Sequence, residues 1–132
     1  MNPTLAALLS TILFSTSDDE GNPLDDRFTI SDVCAIDAKR LYAEYQQFLT
    51  KVETKIKEKI GDNWNSIDEF YDIAFPSENQ TEHDYILTRN QHGAGFWDGD
   101  WNKNVSEILS DAAHSQIPIE AYEGRDGKVY LY

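Results

Sequence analysis

Arg89-Asn90-Gln91-His92-Gly93-Ala94-Gly95-Phe96-Trp97-Asp98-Gly99-Asp100-Trp101 packs a cation, a histidine, two aspartates, three glycines and three large aromatics into thirteen consecutive positions. Each residue type has a definite chemical use. Arg89 is the natural clamp for a carboxylate or phosphate, and Asn90 with His92 would extend it into the polar wall of a ligand cleft. His92 beside Asp98 has the composition of an acid–base pair, although a loop aspartate also commonly caps a helix. Gly93 and Gly95 permit positive φ and close backbone approach, which either aims amides into a concavity or makes a tight connection that only glycine fits. Phe96, Trp97 and Trp101 either anchor the turn in the core or, if exposed, form a hot spot for a partner. The candidate binding turn is therefore Arg89, Asn90, His92, Gly93, Gly95, Phe96, Trp97, Asp98, Asp100 and Trp101.

Complete catalytic and cofactor signatures are missing around it. The glycines lack the third member of a dinucleotide fingerprint and the lysine of a phosphate-binding loop. Asp98, Asp100 and Asn102 begin like a calcium loop, but Lys103 stands where glycine is needed and Leu109 where the closing carboxylate belongs. The acidic stretch Asp18-Asp19-Glu20-Gly21 fails in the same way, with Thr16 and Arg27 at the end positions. His83, His92 and His114 have no short zinc-type spacing. The nucleophile elbow G-x-S-x-G is absent, and the single cysteine, Cys34, falls on an expected helix face. No cofactor and no metal is expected.

Several elements would have to position the turn. Asn2-Pro3 starts a helix over residues 3–15, carried by Leu5, Leu8, Leu9, Ile12 and Leu13. This run is too short to span a bilayer, and no Lys or Arg precedes Arg27, so a core helix is expected rather than a signal segment. A polar loop follows to Asp26. Val33, Ile36, Leu41, Tyr45, Phe48, Leu49, Val52, Ile56 and Ile60 then recur at helical spacing, predicting one long helix from a cap at Ser31 to the stop at Gly61. Ser66 to Glu69 has the form of a capping box for a short helix.

Tyr85 to Thr88 is apolar and partly β-prone, so it reads as a strand running into the glycine turn. Val105, Ile108, Leu109, Ala112 and Ala113 define a last helix, with Asp100 or Asn102 as its cap. Asp126-Gly127 between alternating residues signals a C-terminal hairpin. The expectation is a single α+β domain over 1–132, with N-terminal helices, one of them long, packed on a small, mainly antiparallel sheet of about three strands.

Charge narrows the partners. Twenty-four acidic against eleven basic residues give a formal net charge of -13. Such a field repels nucleic-acid phosphates and anionic membranes and favours basic proteins. Lys51, Lys55, Lys57 and Lys59 alternate with Glu53 and Glu58, as on a solvated helix face. The length of the long helix leaves a homodimer through residues 31–60 open as an alternative. One cysteine fits a reducing, cytoplasmic setting.

Three blocks carry a resemblance. Asp18 to Asp25, Leu87-Thr88-Arg89-Asn90-Gln91-His92-Gly93-Ala94-Gly95-Phe96-Trp97-Asp98 and Asp126 to Tyr130 occur in an order and spacing similar to a family of small bacteriophage-encoded proteins. That family usually has Gly where Gln91 stands here. The resemblance implies a viral or prophage origin and the host cytoplasm, and it implies no activity. Three functional expectations follow. The first is a non-enzymatic protein binding a basic host protein; the second is a small ligand-binding or hydrolytic domain using Arg89, His92 and Asp98; the third is an oligomeric scaffold joined through the long helix.

Overall fold

The computed structural model describes residues 2–60, 80–91, 95–96 and 103–131. Its elements run α1 (Pro3–Ser15), α2 (Ala35–Ile60), α3 (Gln80–Arg89), α4 (Lys103–His114), β1 (Ala121–Glu123) and β2 (Val129–Leu131). The chain is thus α+β, with one long helix, and its sheet among the described residues has two strands where about three were expected.

The first helix forms as its sequence dictates. The Asn2 side chain accepts the Thr4 amide at 2.8 Å, and Pro3 occupies the first turn, where its missing N–H costs nothing. Leu8, Leu9, Ile12 and Leu13 are buried. Beyond it, Leu24 plugs into the core while its amide returns to the Thr16 carbonyl at 2.9 Å, so the acidic loop folds back on itself.

The long helix begins at Ala35, four residues later than the expected cap at Ser31. Residues Ile30–Asp32 instead form a 3-10 turn, closed by the Thr29 amide on the Asp32 carboxylate at 2.8 Å. Cys34 sends its amide to the Val129 carbonyl at 2.8 Å, which ties this segment to β2 before the helix can start. Leu41, Tyr45, Phe48, Val52 and Ile56 are each at most 2% exposed, so the apolar stripe of α2 is used inside the chain's own core. Ile36 is 79% exposed. It sits five residues before Leu41, about 140° round the helix from that seam. On the outer face Glu53 pairs with Lys57 at 3.1 Å and Lys55 with Glu58 at 3.7 Å, as a solvated face should.

Tyr85–Thr88 is not a strand. These residues belong to α3, which packs against α1 and α4. Thr81 and the whole run from Asp84 to Arg89 are buried, so no polar face remains to mark the helical period. A short apolar run without such a face does not distinguish strand from helix. The helix stops at Gln91, whose φ of 58° is left-handed and whose amide returns to the Thr88 carbonyl.

An aromatic cluster joins the helices: Tyr85 lies 4.6 Å from Phe48 and edge-on to Tyr45 at 5.0 Å between ring centroids. Leu109, Ala112 and Ala113 bring α4 against α2 and α3.

The hairpin occurs where expected. Ala121, Tyr122 and Glu123 pair with Leu131, Tyr130 and Val129. Gly127, at φ 80°, donates to the Gly124 carbonyl, and Gly124 donates to that of Lys128 at 2.7 Å. The expected short helix at Ser66–Glu69 and the Asp100 or Asn102 cap lie outside the described residues. Among the described residues no helix is long and apolar enough to cross a membrane.

Two positions of the predicted stripe, one buried and one exposed, should therefore respond differently to truncation. Phe48→Ala is expected to lower the unfolding free energy by about 3–5 kcal/mol, and Ile36→Ala to change it by no more than about 0.5 kcal/mol. Urea denaturation of both variants checks the pair.

Candidate functional site

Arg89, the expected ligand clamp, is turned inward and only 2% exposed. Its Nε donates to the Ile117 carbonyl at 2.7 Å, one Nη to the Tyr85 hydroxyl at 2.8 Å, and the other Nη to the Glu44 carboxylate. The Tyr85 hydroxyl in turn donates to the side-chain oxygen of Gln116, and Gln116 donates to the Glu44 carbonyl at 2.8 Å. Asn90 accepts the Ile119 amide at 2.7 Å. Arg89 and Asn90 thus sew segment 115–119 onto α2 and α3. Burial pushes the Tyr85 phenol up to about 12, against the opposing pull of the Arg89 charge. Burial also raises Tyr45, whose hydroxyl donates to Glu82 at 3.3 Å.

Gly95 and Phe96 serve as a tight connection and an anchor. A Cβ on Gly95, at φ 138°, would lie 2.2 Å from the Thr88 hydroxyl and 3.3 Å from the Asp84 carbonyl, so the turn presses directly on α3. The Phe96 amide donates to the same Thr88 hydroxyl at 3.1 Å, and its fully buried ring stacks on Phe48 at 5.9 Å. His92, Gly93, Trp97, Asp98, Asp100 and Trp101 lie outside the described residues. Of the other histidines, His83 sits with Nδ1 3.3 Å from the Thr11 hydroxyl, and His114 ends α4 on the surface.

The described residues form concavities, two of which border elements already named. The smaller, about 270 Å³, has an apolar floor of Leu41, Ile119 and Leu131 beside Arg89. The larger is an open groove of about 610 Å³ between the acidic loop and β1. Five acids line it, Asp18, Asp19, Glu20, Asp26 and Glu123, against one base, Arg27. The guanidinium of Arg27 reaches Asp18 at 3.4 Å and Glu123 at 3.2 Å and lies 5.0 Å over the Phe28 ring. Its hydrogen bond to Glu123 raises its affinity for the proton further.

The loop has its own reason for shape. Asp18 accepts the amides of Asn22 at 3.0 Å and Glu20 at 2.9 Å, and Gly21 takes φ 85°. The Asn22 amide first, then the Glu20 amide and Arg27, hold the Asp18 carboxyl below its usual range. The sequence had shown this stretch only as a solvated polar loop; its pairing with β1, about a hundred residues away, leaves no local signal. Among the described residues no group of three or more His, Cys, Asp or Glu is arranged to hold a metal ion. Compared with protein-family models, curated proteins and solved structures, the chain matches none.

Two outcomes test these assignments. Arg89→Ala takes the donor from the Ile117 carbonyl and the Tyr85 hydroxyl, while Arg40 still faces Glu44 at 3.8 Å, so it should cost about 1–3 kcal/mol in urea unfolding. Asp18, with a folded pKa held below the usual carboxylate range, contributes stability that is complete above the unfolded pKa and is lost as pH falls through the folded one. Thermal melting of the wild type should therefore decline more steeply below about pH 4 than that of Asp18→Asn, which has no carboxylate to protonate there.

Proposed function

We propose that this chain is a non-enzymatic interaction protein that docks through its acidic surface onto a basic surface of a host protein. The observation that carries the reading is the net charge of -13 together with the groove where five acids face one base. Opposite charge steers such partners together and sets their orientation. The position of Arg89 supports it from the other side. Three of its nitrogens are bonded to Ile117, Tyr85 and Glu44, so an anionic substrate would have to displace protein groups to reach it. The resemblance to phage-encoded proteins makes the host cytoplasm the natural setting, where proteins that handle nucleic acid present basic patches. The acidic face would compete there by resembling the charge of a phosphate backbone.

The test is retention of purified host nucleic-acid enzymes on the immobilised protein across a salt gradient. Retention at low salt should collapse as the Debye length shrinks from about 10 Å at 0.1 M toward about 3 Å at 1 M. The triple variant Asp18→Asn, Asp19→Asn, Glu20→Gln should release its partner at markedly lower salt. If no such enzyme is retained in a salt-sensitive way, the reading loses its basis.

A further inference from the structure

The fold treats the two edges of its hairpin differently. Gly124 donates to Lys128 at 2.7 Å, and hydrogen-bonded pairs alternate along an antiparallel ladder, so Tyr122 and Tyr130 face one another through their backbone groups. Val129 and Leu131 therefore turn their backbone groups away from β1. On that side three of the four groups are hydrogen-bonded, and Val129 bridges Val33. The Val129 carbonyl accepts the Cys34 amide at 2.8 Å, the Leu131 amide donates to Asp37 at 3.0 Å, and the Leu131 carbonyl accepts from Arg40.

Their partners across the ladder, Ala121 and Glu123, must turn their backbone groups away from β2. The amides and carbonyls of these two residues have no partner among the described residues. They border the acidic groove, which Ala121, Tyr122 and Glu123 line on one side and the 17–27 loop on the other.

We infer that the free edge of β1 takes an extended basic peptide as a third strand, laid in the acidic groove. The inference rests on the acidic-surface reading above and names the form its partner takes. Strand addition gives affinity through main-chain hydrogen bonds, while alternate side chains of the guest give specificity. A three-residue strand spans about 10 Å, so the edge offers two amides and two carbonyls to a short segment of guest.

Charge selects the guest. Five acids against one base leave the groove at -4, counted over the same lining residues. Arg27, bridging Asp18 and Glu123, already places a guanidinium there, so the walls suit an arginine or lysine of a guest. A second copy of the chain would bring the same negative groove against this one, and the shortness of β1 further discourages pairing between copies.

The experiment uses the full chain and a dye-labelled peptide of about ten residues alternating lysine and threonine. A twin of equal charge is methylated on alternate backbone nitrogens so that it cannot donate to a strand. Fluorescence anisotropy should show salt-sensitive binding of the first peptide and binding at least about tenfold weaker for the twin, the loss of one or two main-chain hydrogen bonds. Hydrogen exchange at the Ala121 and Glu123 amides should slow when the first peptide is added. Ala121→Pro, which removes one outward amide, should weaken binding while the helical circular dichroism stays unchanged. If that variant unfolds, the methylated twin still tests the intact protein.

Equal binding of both peptides overturns strand addition and leaves the acidic-surface reading standing. Binding of neither overturns strand addition as well, while retention of folded basic enzymes remains a separate readout for that reading. Equal binding of a glutamate–threonine peptide contradicts the charge argument, and dimerisation of the free chain through β1 would give the edge to a second copy.

Discussion

A positive charge held in the interior must be neutralised, and the rest of this structure is arranged so that Arg89 is. Its guanidinium meets Glu44 from α2, the Tyr85 hydroxyl one turn back on α3, and the Ile117 carbonyl from the segment that leads into β1. Leaving such a group unpaired in a low-dielectric setting costs several kcal/mol. The three segments are therefore constrained to one arrangement. Gln116 and Asn90 complete the constraint by fixing the backbone on either side of Ile117. From there the chain passes into the hairpin, whose β2 edge is sealed by Cys34, Asp37 and Arg40 at the start of α2.

This arrangement divides the charges. Arg27, Arg40 and Arg89 all stand in ion pairs with neighbouring acids. Twenty-four acids against eleven bases leave the whole chain with a negative surplus. Part of it collects around the one hairpin edge whose backbone groups have no partner among the described residues. Arg40 and Arg89 thus serve the fold's own contacts, while five acids and one base line the groove beside β1.

The sequence made the helices most legible where a polar face survived beside the apolar one. The first helix is legible in its cap and spacing, the last in its spacing, and the C-terminal hairpin in Asp126-Gly127. The long helix was read correctly for Leu41, Tyr45, Phe48, Val52 and Ile56 but not for its start, because the hold of Val129 on Cys34 is a long-range contact. Tyr85–Thr88 was read as a strand because burial on every side erased the polar half of its period. The same burial hid the role of Arg89. From type alone it is a ligand clamp; only Glu44, forty-five positions earlier, and Ile117, twenty-eight later, show it as an internal partner. Gly95 and Phe96 were legible as a tight turn and an anchor, because steric and apolar demands act locally.

The most direct measurement is the NMR signal of the Arg89 Nε hydrogen. If the guanidinium is a buried structural partner of Ile117, that hydrogen should exchange slowly at neutral pH, and its shift should stay fixed when inorganic phosphate or acetate is titrated in. A fast-exchanging signal that moves with either anion would show Arg89 open to ligands and contradict the account.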